Sequence, residues 1–160
     1  MTASRRDLLV GTGAALAGAV LAAPALAADP SDADQLARLL GLERRLAAAY
    51  EAALERDAVD PALGRLLLGH ERDHIRGLEQ ALGRGRARAI APPPKLGIDL
   101  SSRPAFARSA LQLEGTTVDT YQDVLTNFHN DRLLQPLGSI MACGAQHEVA
   151  LRQVLGADLL

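Results

Sequence analysis

An internal repeat constrains this chain more than any other feature. From His74 the sequence reads His-Ile-Arg-Gly-Leu-Glu-Gln-Ala-Leu-Gly, and from His147 it reads His-Glu-Val-Ala-Leu-Arg-Gln-Val-Leu-Gly. His, Leu, Gln, Leu and Gly recur at the same offsets, 73 residues apart. Upstream of each copy stands a second echo: Glu43 is followed seven residues later by Tyr50, and Glu114 seven later by Tyr121, with the two units 71 residues apart. The chain is therefore organised as two matched halves. Each half carries a Glu segment and then a His segment.

Both kinds of segment read as helices. From about Asp32 to Arg56, leucines at 36, 39, 40, 46 and 54 recur at helical spacing, with alanines between them. Pro30-Ser31-Asp32 is a start signal with an acid in the first turn. Asp60 suits an N-cap and Pro61 the first helical position, which predicts a second helix ending at Gly83. The short turn between these helices makes them antiparallel neighbours. A third helix is expected from about Pro104 to His129. A fourth is expected from about Arg132 or Leu133 to Gly156, with Pro136 in its first turn. Between the halves, Arg84 to Arg103 holds Gly85, Pro92, Pro93, Pro94 and Gly97 and shows no helical pattern. A connection of that length crosses from one end of a bundle to the other. No segment shows strand alternation.

Composition agrees with this reading and removes several functions. The 160 residues suggest one domain, and 48% of them are hydrophobic. With two Phe, two Tyr and no Trp, the core must be built from Leu and Ala, which favours closely packed helices. A formal charge of −2 gives no drive toward nucleic acid or anionic membranes. Arg84, Arg86 and Arg88 lack accompanying aromatics and read as favourable charge near a helix C-terminus. The single Cys143 excludes an internal disulfide and any multi-Cys zinc or iron–sulfur module.

The first residues read as a cleavable export signal. Arg5-Arg6 precede an apolar, Gly/Ala-rich run from Val10 to Leu26, and Ala25-Leu26-Ala27 forms a small-x-small cleavage site. The pattern resembles a twin-arginine (Tat) signal over residues 1–27, against an ordinary Sec signal as the alternative. The mature chain would be residues 28–160, a single domain in the periplasm or another extracytoplasmic space, with no stable membrane insertion after cleavage. Losing Arg5, Arg6 and Asp7 takes the formal charge from −2 to −3.

Four helices can place one inward Glu on each of two and a Glu-x-x-His on each of the others, so that the ligands converge on two metal ions. This chain offers Glu43, then Glu71 with His74, then Glu114, then His147. The chain resembles the ferritin-like superfamily, and more closely the exported bacterial ferritin-like proteins of the desiccation-associated type. Leu42-Glu43 with Tyr50, His70-Glu71-Arg72-Asp73-His74, Leu113-Glu114 with Tyr121, and Ser139-Ile140 through His147 carry the likeness, which spans residues 32–156. The resemblance implies an all-α, ferritin-like antiparallel four-helix bundle with a long crossover between helices 2 and 3. It also implies iron or manganese, one or two ions, held by Glu43, Glu71, His74, Glu114 and His147. The chemistry implied is metal-dependent redox or iron binding. Metal ions are the expected partners, and a homodimer is compatible with the pattern.

One position departs from the family pattern. The Glu expected three before His147 is Gly144, and the repeat agrees, since Glu71 plus 73 is 144. Three carboxylates leave one net positive charge against two divalent cations, which implies weaker binding or one occupied position. Gly144 either opens space for a small ligand such as dioxygen or marks a decayed site closed by helix packing. Glu148 lies about 100° round the helix from His147 and should point elsewhere.

Other residues carry two readings each. His70-Glu71-Arg72-Asp73-His74 also matches H-E-x-x-H, the zinc metallopeptidase pattern, which needs both His on one zinc. Cys143, at the repeat position of His70, is either a soft extra ligand or a small buried apolar residue. Tyr50 and Tyr121, about 10.5 Å along the axis from their own Glu, either hydrogen-bond a ligand carboxylate across the bundle or are core aromatics. His129 reads as an exposed turn residue. A metal-free envelope or stress-related helical bundle is the alternative to the metal protein.

Overall fold

The Asp60 carboxylate accepts hydrogen bonds from the Ala62 and Leu63 amides at 2.9 and 3.0 Å, and Pro61 follows it at the first helical position. This local chemistry starts the second helix of the computed structural model, which describes residues 30–91 and 97–156. Among the described residues there are five helices: α1 (Pro30–Glu55), α2 (Pro61–Leu82), α3 (Arg84–Ala89), α4 (Arg103–Thr126) and α5 (Asp131–Val154). No strand occurs among the described residues. The expected signal segment, residues 1–27, lies outside them. Ser102 caps α4 by accepting from the Ala105 amide, and Asn130 caps α5 by accepting from that of Arg132. Among the described residues no helix is long and apolar enough to cross a membrane.

Three details correct the sequence reading. The segment after Gly83 is partly helical: Gly83, at φ 86°, ends α2 and the chain re-enters helix as α3. The reason lies far away in sequence. Arg44 of α1 donates to the Ala87 and Ile90 carbonyls at 3.1 and 3.4 Å, satisfying the C-terminal end of α3, and pairs with Glu79 at 2.9 Å. The α4 helix stops at Thr126 rather than near His129, because Asn127 to Asn130 form the turn that caps α5. Pro136 sits inside α5, beyond its first turn.

Packing follows the leucine stripes. Leu54 lies against Gly64, Glu51 pairs with Arg72, and Arg44 pairs with Glu79, so α1 and α2 run in opposite senses. Glu114 faces His147 and Val118 faces Gly144, so α4 and α5 do the same. One apolar cluster gathers Leu46, Tyr50, Leu67, Phe106, Leu113 and Leu151; the other gathers Leu36, Leu40, Leu78, Tyr121, Leu137 and Ile140. On every long helix the two clusters are separated by a buried polar step: Glu43, Glu71 with His74, Glu114 with Thr117, and His147. The interior thus holds one polar layer between two apolar ones.

Candidate metal centre

All five residues that the sequence singles out fall in that polar layer. Glu43, Glu71 and Glu114 are each 1% exposed, His74 6% and His147 2%. Burial of this much ionisable surface is costly unless the groups pair or bind a cation. They form two overlapping triads that share Glu71: Glu43, Glu71 and His74, and Glu71, Glu114 and His147, with ligand atoms within 4.8 Å of one another in each. His74 Nδ1 lies 3.2 Å from Glu43 Oε2 and 3.6 Å from Glu71 Oε2. His147 Nδ1 lies 3.2 Å from Glu114 Oε1 and 3.0 Å from Glu71 Oε1. The two oxygens of Glu71 therefore face different imidazoles.

The tyrosines complete the layer crosswise. Tyr50 Oη donates to Glu114 Oε1 at 2.6 Å, and Tyr121 Oη donates to Glu43 Oε1 at 2.7 Å. Each Glu–Tyr unit serves the carboxylate of the other, so α1 and α4 also run in opposite senses. These contacts settle the two readings of the tyrosines in favour of a bond to a candidate ligand carboxylate. Burial, then the neighbouring Glu carboxylates, raise both phenols well above their ordinary range, so they remain donors.

The protons of the layer are displaced from their usual places. Burial, with the charge and close approach of Glu71, raises Glu43 to about 8 against the opposing pull of His74. Glu71 is lowered: burial would raise it, but the close approach of Glu43, His147 and His74 outweighs that. His74 is pushed up to about 12, because Cys143, Glu43 and Glu71 overcome the burial that would lower it. His147 is raised in the same way by Cys143, Glu114 and Glu71. These directions favour protons on both imidazoles and on Glu43 when no cation competes for them.

The donor set fits a metal ion on one decisive observation. Both Glu71 oxygens are fully buried, yet among the described residues neither receives an aligned hydrogen bond. The 3.0 Å approach of His147 Nδ1 is close in distance but poor in angle, and His74 Nδ1 at 3.6 Å is too far. A buried carboxylate with both oxygens lacking an aligned hydrogen-bond donor, each beside an imidazole nitrogen, is a lone-pair donor that a cation would satisfy.

Gly144 lines a small cavity with Glu43, Glu71, His74, Glu114 and Val118. Its volume is about 10 Å³, room for a single water-sized body. A Cβ at Gly144 would meet Val118 Cγ2 at 3.1 Å and Glu114 Oε2 at 3.7 Å. Position 144 thus faces the centre, as the repeat requires, but Val118 stands so close that it would have to give way by a few tenths of an ångström for even a Cβ. Glu148 points away and accepts from Arg152 at 2.6 Å.

The H-E-x-x-H reading loses its geometry. No candidate metal group among the described residues contains both His70 and His74. His70 instead approaches His147 and Cys143, the residue at its own repeat position. His129, expected in an exposed turn, is exposed and also joins a buried contact: Asp32, fully buried, accepts from the His129 and Asn130 amides, both at 3.0 Å.

A family model described as a ferritin-like domain matches residues 31–157. The chain belongs to the ferritin-like domain family. That match spans all four long helices and every residue of the ferritin-like polar layer. No curated protein and no solved structure matches the chain.

Proposed function

We propose that this ferritin-like chain binds one or two iron or manganese ions in its polar layer, through Glu43, Glu71, His74, Glu114 and His147, and uses them in redox chemistry with iron, dioxygen or peroxide. The orphaned, fully buried Glu71 carboxylate between two imidazoles carries the proposal. Iron or manganese bound there would supply one-electron exchange. The chain's own residues do the rest. Glu71 spans the two triads, and Glu43 with His74 and Glu114 with His147 close either end. Tyr50 and Tyr121 fix the outer carboxylates by donating to one oxygen of each, leaving the other oxygen for a cation. The apolar clusters above and below exclude bulk water. In this reading the four long helices form a ferritin-type antiparallel bundle, and the 83–102 segment is its long crossover.

Metal analysis of purified protein tests the reading. One to two iron or manganese ions per chain are expected, falling sharply in Glu71→Gln. A chain that binds neither ion under reducing, anaerobic loading is instead the metal-free bundle. That second reading is favoured by the small cavity and by the pairing of His74 and His147 with carboxylates.

The same proposal places the mature protein outside the cytoplasm, as a relative of the exported, desiccation-associated type. Mass spectrometry of protein recovered from the periplasm should give an N-terminus at Ala28. Arg5→Lys with Arg6→Lys should hold the precursor in the cytoplasm if the signal is of the twin-arginine kind. Light scattering on the loaded protein reads whether it forms a homodimer.

A further inference from the structure

We propose a second metal site, of different chemistry, on the outer side of His147: His70 Nδ1, Cys143 Sγ and His147 Nε2 form a three-ligand site for a thiophilic divalent cation such as Zn(II), with the fourth position open. This site goes beyond the carboxylate centre and does not require that centre to be filled.

The first argument is geometric. A tetrahedral zinc with bonds of about 2.3 Å to sulfur and about 2.0–2.1 Å to nitrogen holds its nitrogens about 3.3 Å apart and each nitrogen about 3.5 Å from the sulfur. The nitrogens of His70 and His147 are 3.0 Å apart, and Cys143 Sγ lies 3.4 Å from His147 Nε2 and 3.7 Å from His70 Nδ1. Every edge of the triangle is thus within about 0.3 Å of one face of a zinc tetrahedron. The imidazole planes are 5° apart with centres 5.3 Å from each other, so the rings meet through their nitrogens rather than face to face. Without metal that contact is a hydrogen bond sharing one proton. A cation displaces the proton, and each ring must tilt so that its lone pair leaves the line between the two nitrogens and turns toward the sulfur side; half-buried His70 is the more accessible of the two rings.

The second argument is the far side of His147. When Nε2 binds a cation, Nδ1 must carry the ring's proton. That nitrogen lies 3.0 Å from Glu71 Oε1 and 3.2 Å from Glu114 Oε1. A carboxylate accepting from the distal N–H of a metal-bound histidine is the usual orienting partner in such sites. Access and ligand chemistry agree as well. His70 and Cys143 are half-buried rather than sealed in. Cys143 Sγ stands within reach of both ring nitrogens, and a soft cation binds such a sulfur as thiolate, releasing its proton.

The arrangement makes His147 a shared ligand. A neutral imidazole has one lone pair, so it serves either the Glu71/Glu114 triad through Nδ1 or the Cys143 site through Nε2. Occupation of one site therefore weakens the other, reciprocally.

Cobalt(II) is the probe. The reduced, chelator-stripped chain is titrated with Co(II) and followed by the thiolate-to-cobalt charge-transfer band in the near ultraviolet. Wild type should develop the band with one cobalt per chain, at a midpoint independent of protein concentration, and excess Zn(II) should bleach it. Cys143→Ser should abolish the band and His70→Ala should weaken cobalt binding by about tenfold or more, with both variants checked for helix content by circular dichroism. Glu43→Gln, which touches only the carboxylate centre, should retain the band while losing Mn(II) binding; that combination separates the two sites. A wild-type chain without the band, a band indifferent to His70→Ala, or a midpoint that moves with protein concentration (cobalt bridging Cys143 of two copies) overturns the proposal.

Discussion

Protons and metal compete for the same atoms in the polar layer, and the direction of that competition can be worked out residue by residue. The folded pKa of Glu43, about 8, lies above its ordinary 4.5, so the stability it contributes is full below 4.5 and is lost as pH rises through 8. His74, at about 12 against 6.5, has the same sign over a higher window. Lowered Glu71 opposes them only on the acid side, losing its contribution as pH falls below its ordinary range. The urea midpoint of the chelated protein should accordingly be lower at pH 8 than at pH 5.5, while Mn(II) affinity should rise across the same interval as fewer protons need displacing. A flat Mn(II) affinity over that range would contradict this proton placement. Tyr121→Phe removes the donor to Glu43 Oε1 and should cost about 1–3 kcal/mol in urea unfolding, with weaker Mn(II) binding on top. At position 144, Gly→Glu should add metal only when Val118 is also shortened. Gly144→Glu alone forces Val118 aside, and Gly144→Glu with Val118→Ala should show the higher metal stoichiometry. At this scale the sequence was informative about which residues meet: the repeat marks Glu43, Glu71, His74, Glu114, His147 and the gap at 144. It left open whether the tyrosines bond across the bundle or only fill the core, since that depends on how the two halves are set against each other.

Helices and turns obey local rules until a distant side chain intervenes. The four long helices are legible from their leucine stripes and from Asp60-Pro61, because those signals act within a few residues. The short α3 is not, since its carbonyls are satisfied by Arg44, more than forty residues earlier. The same holds for Asp32, whose first-turn signal hides its second role as acceptor for the turn before α5. Gly64 shows the limit of reading propensity alone. Alanine would favour the α2 helix by roughly 1 kcal/mol. Yet its Cβ would stand 2.7 Å from Val59 Cγ1 and 2.8 Å from Leu54 Cδ2, and overpacking of that kind costs about 1–3 kcal/mol. The stiff β-branched valine makes the second effect the larger. Gly64→Ala should therefore lower the urea midpoint, while Gly69→Ala, where nothing stands within 4 Å of a Cβ, should raise it or leave it unchanged.

For the molecule as a whole, a cation in the layer binds the folded chain and not the unfolded one. Mn(II) at about a hundred times its Kd should stabilise the fold by roughly 2.7 kcal/mol, which for a domain of this size raises Tm by on the order of 10 °C. Calorimetry with Mn(II) and then with excess chelator reads that shift and its reversal, and Glu71→Gln should show neither. The crosswise tyrosine bonds have a consequence for how the chain holds together. Each half owns a buried carboxylate whose phenol partner lies in the other half, so neither half can shed water from its own polar step unaided. Cut in the proline segment, the chain would become two fragments that are each other's missing reagent, helical together and able to report their reunion by binding Mn(II).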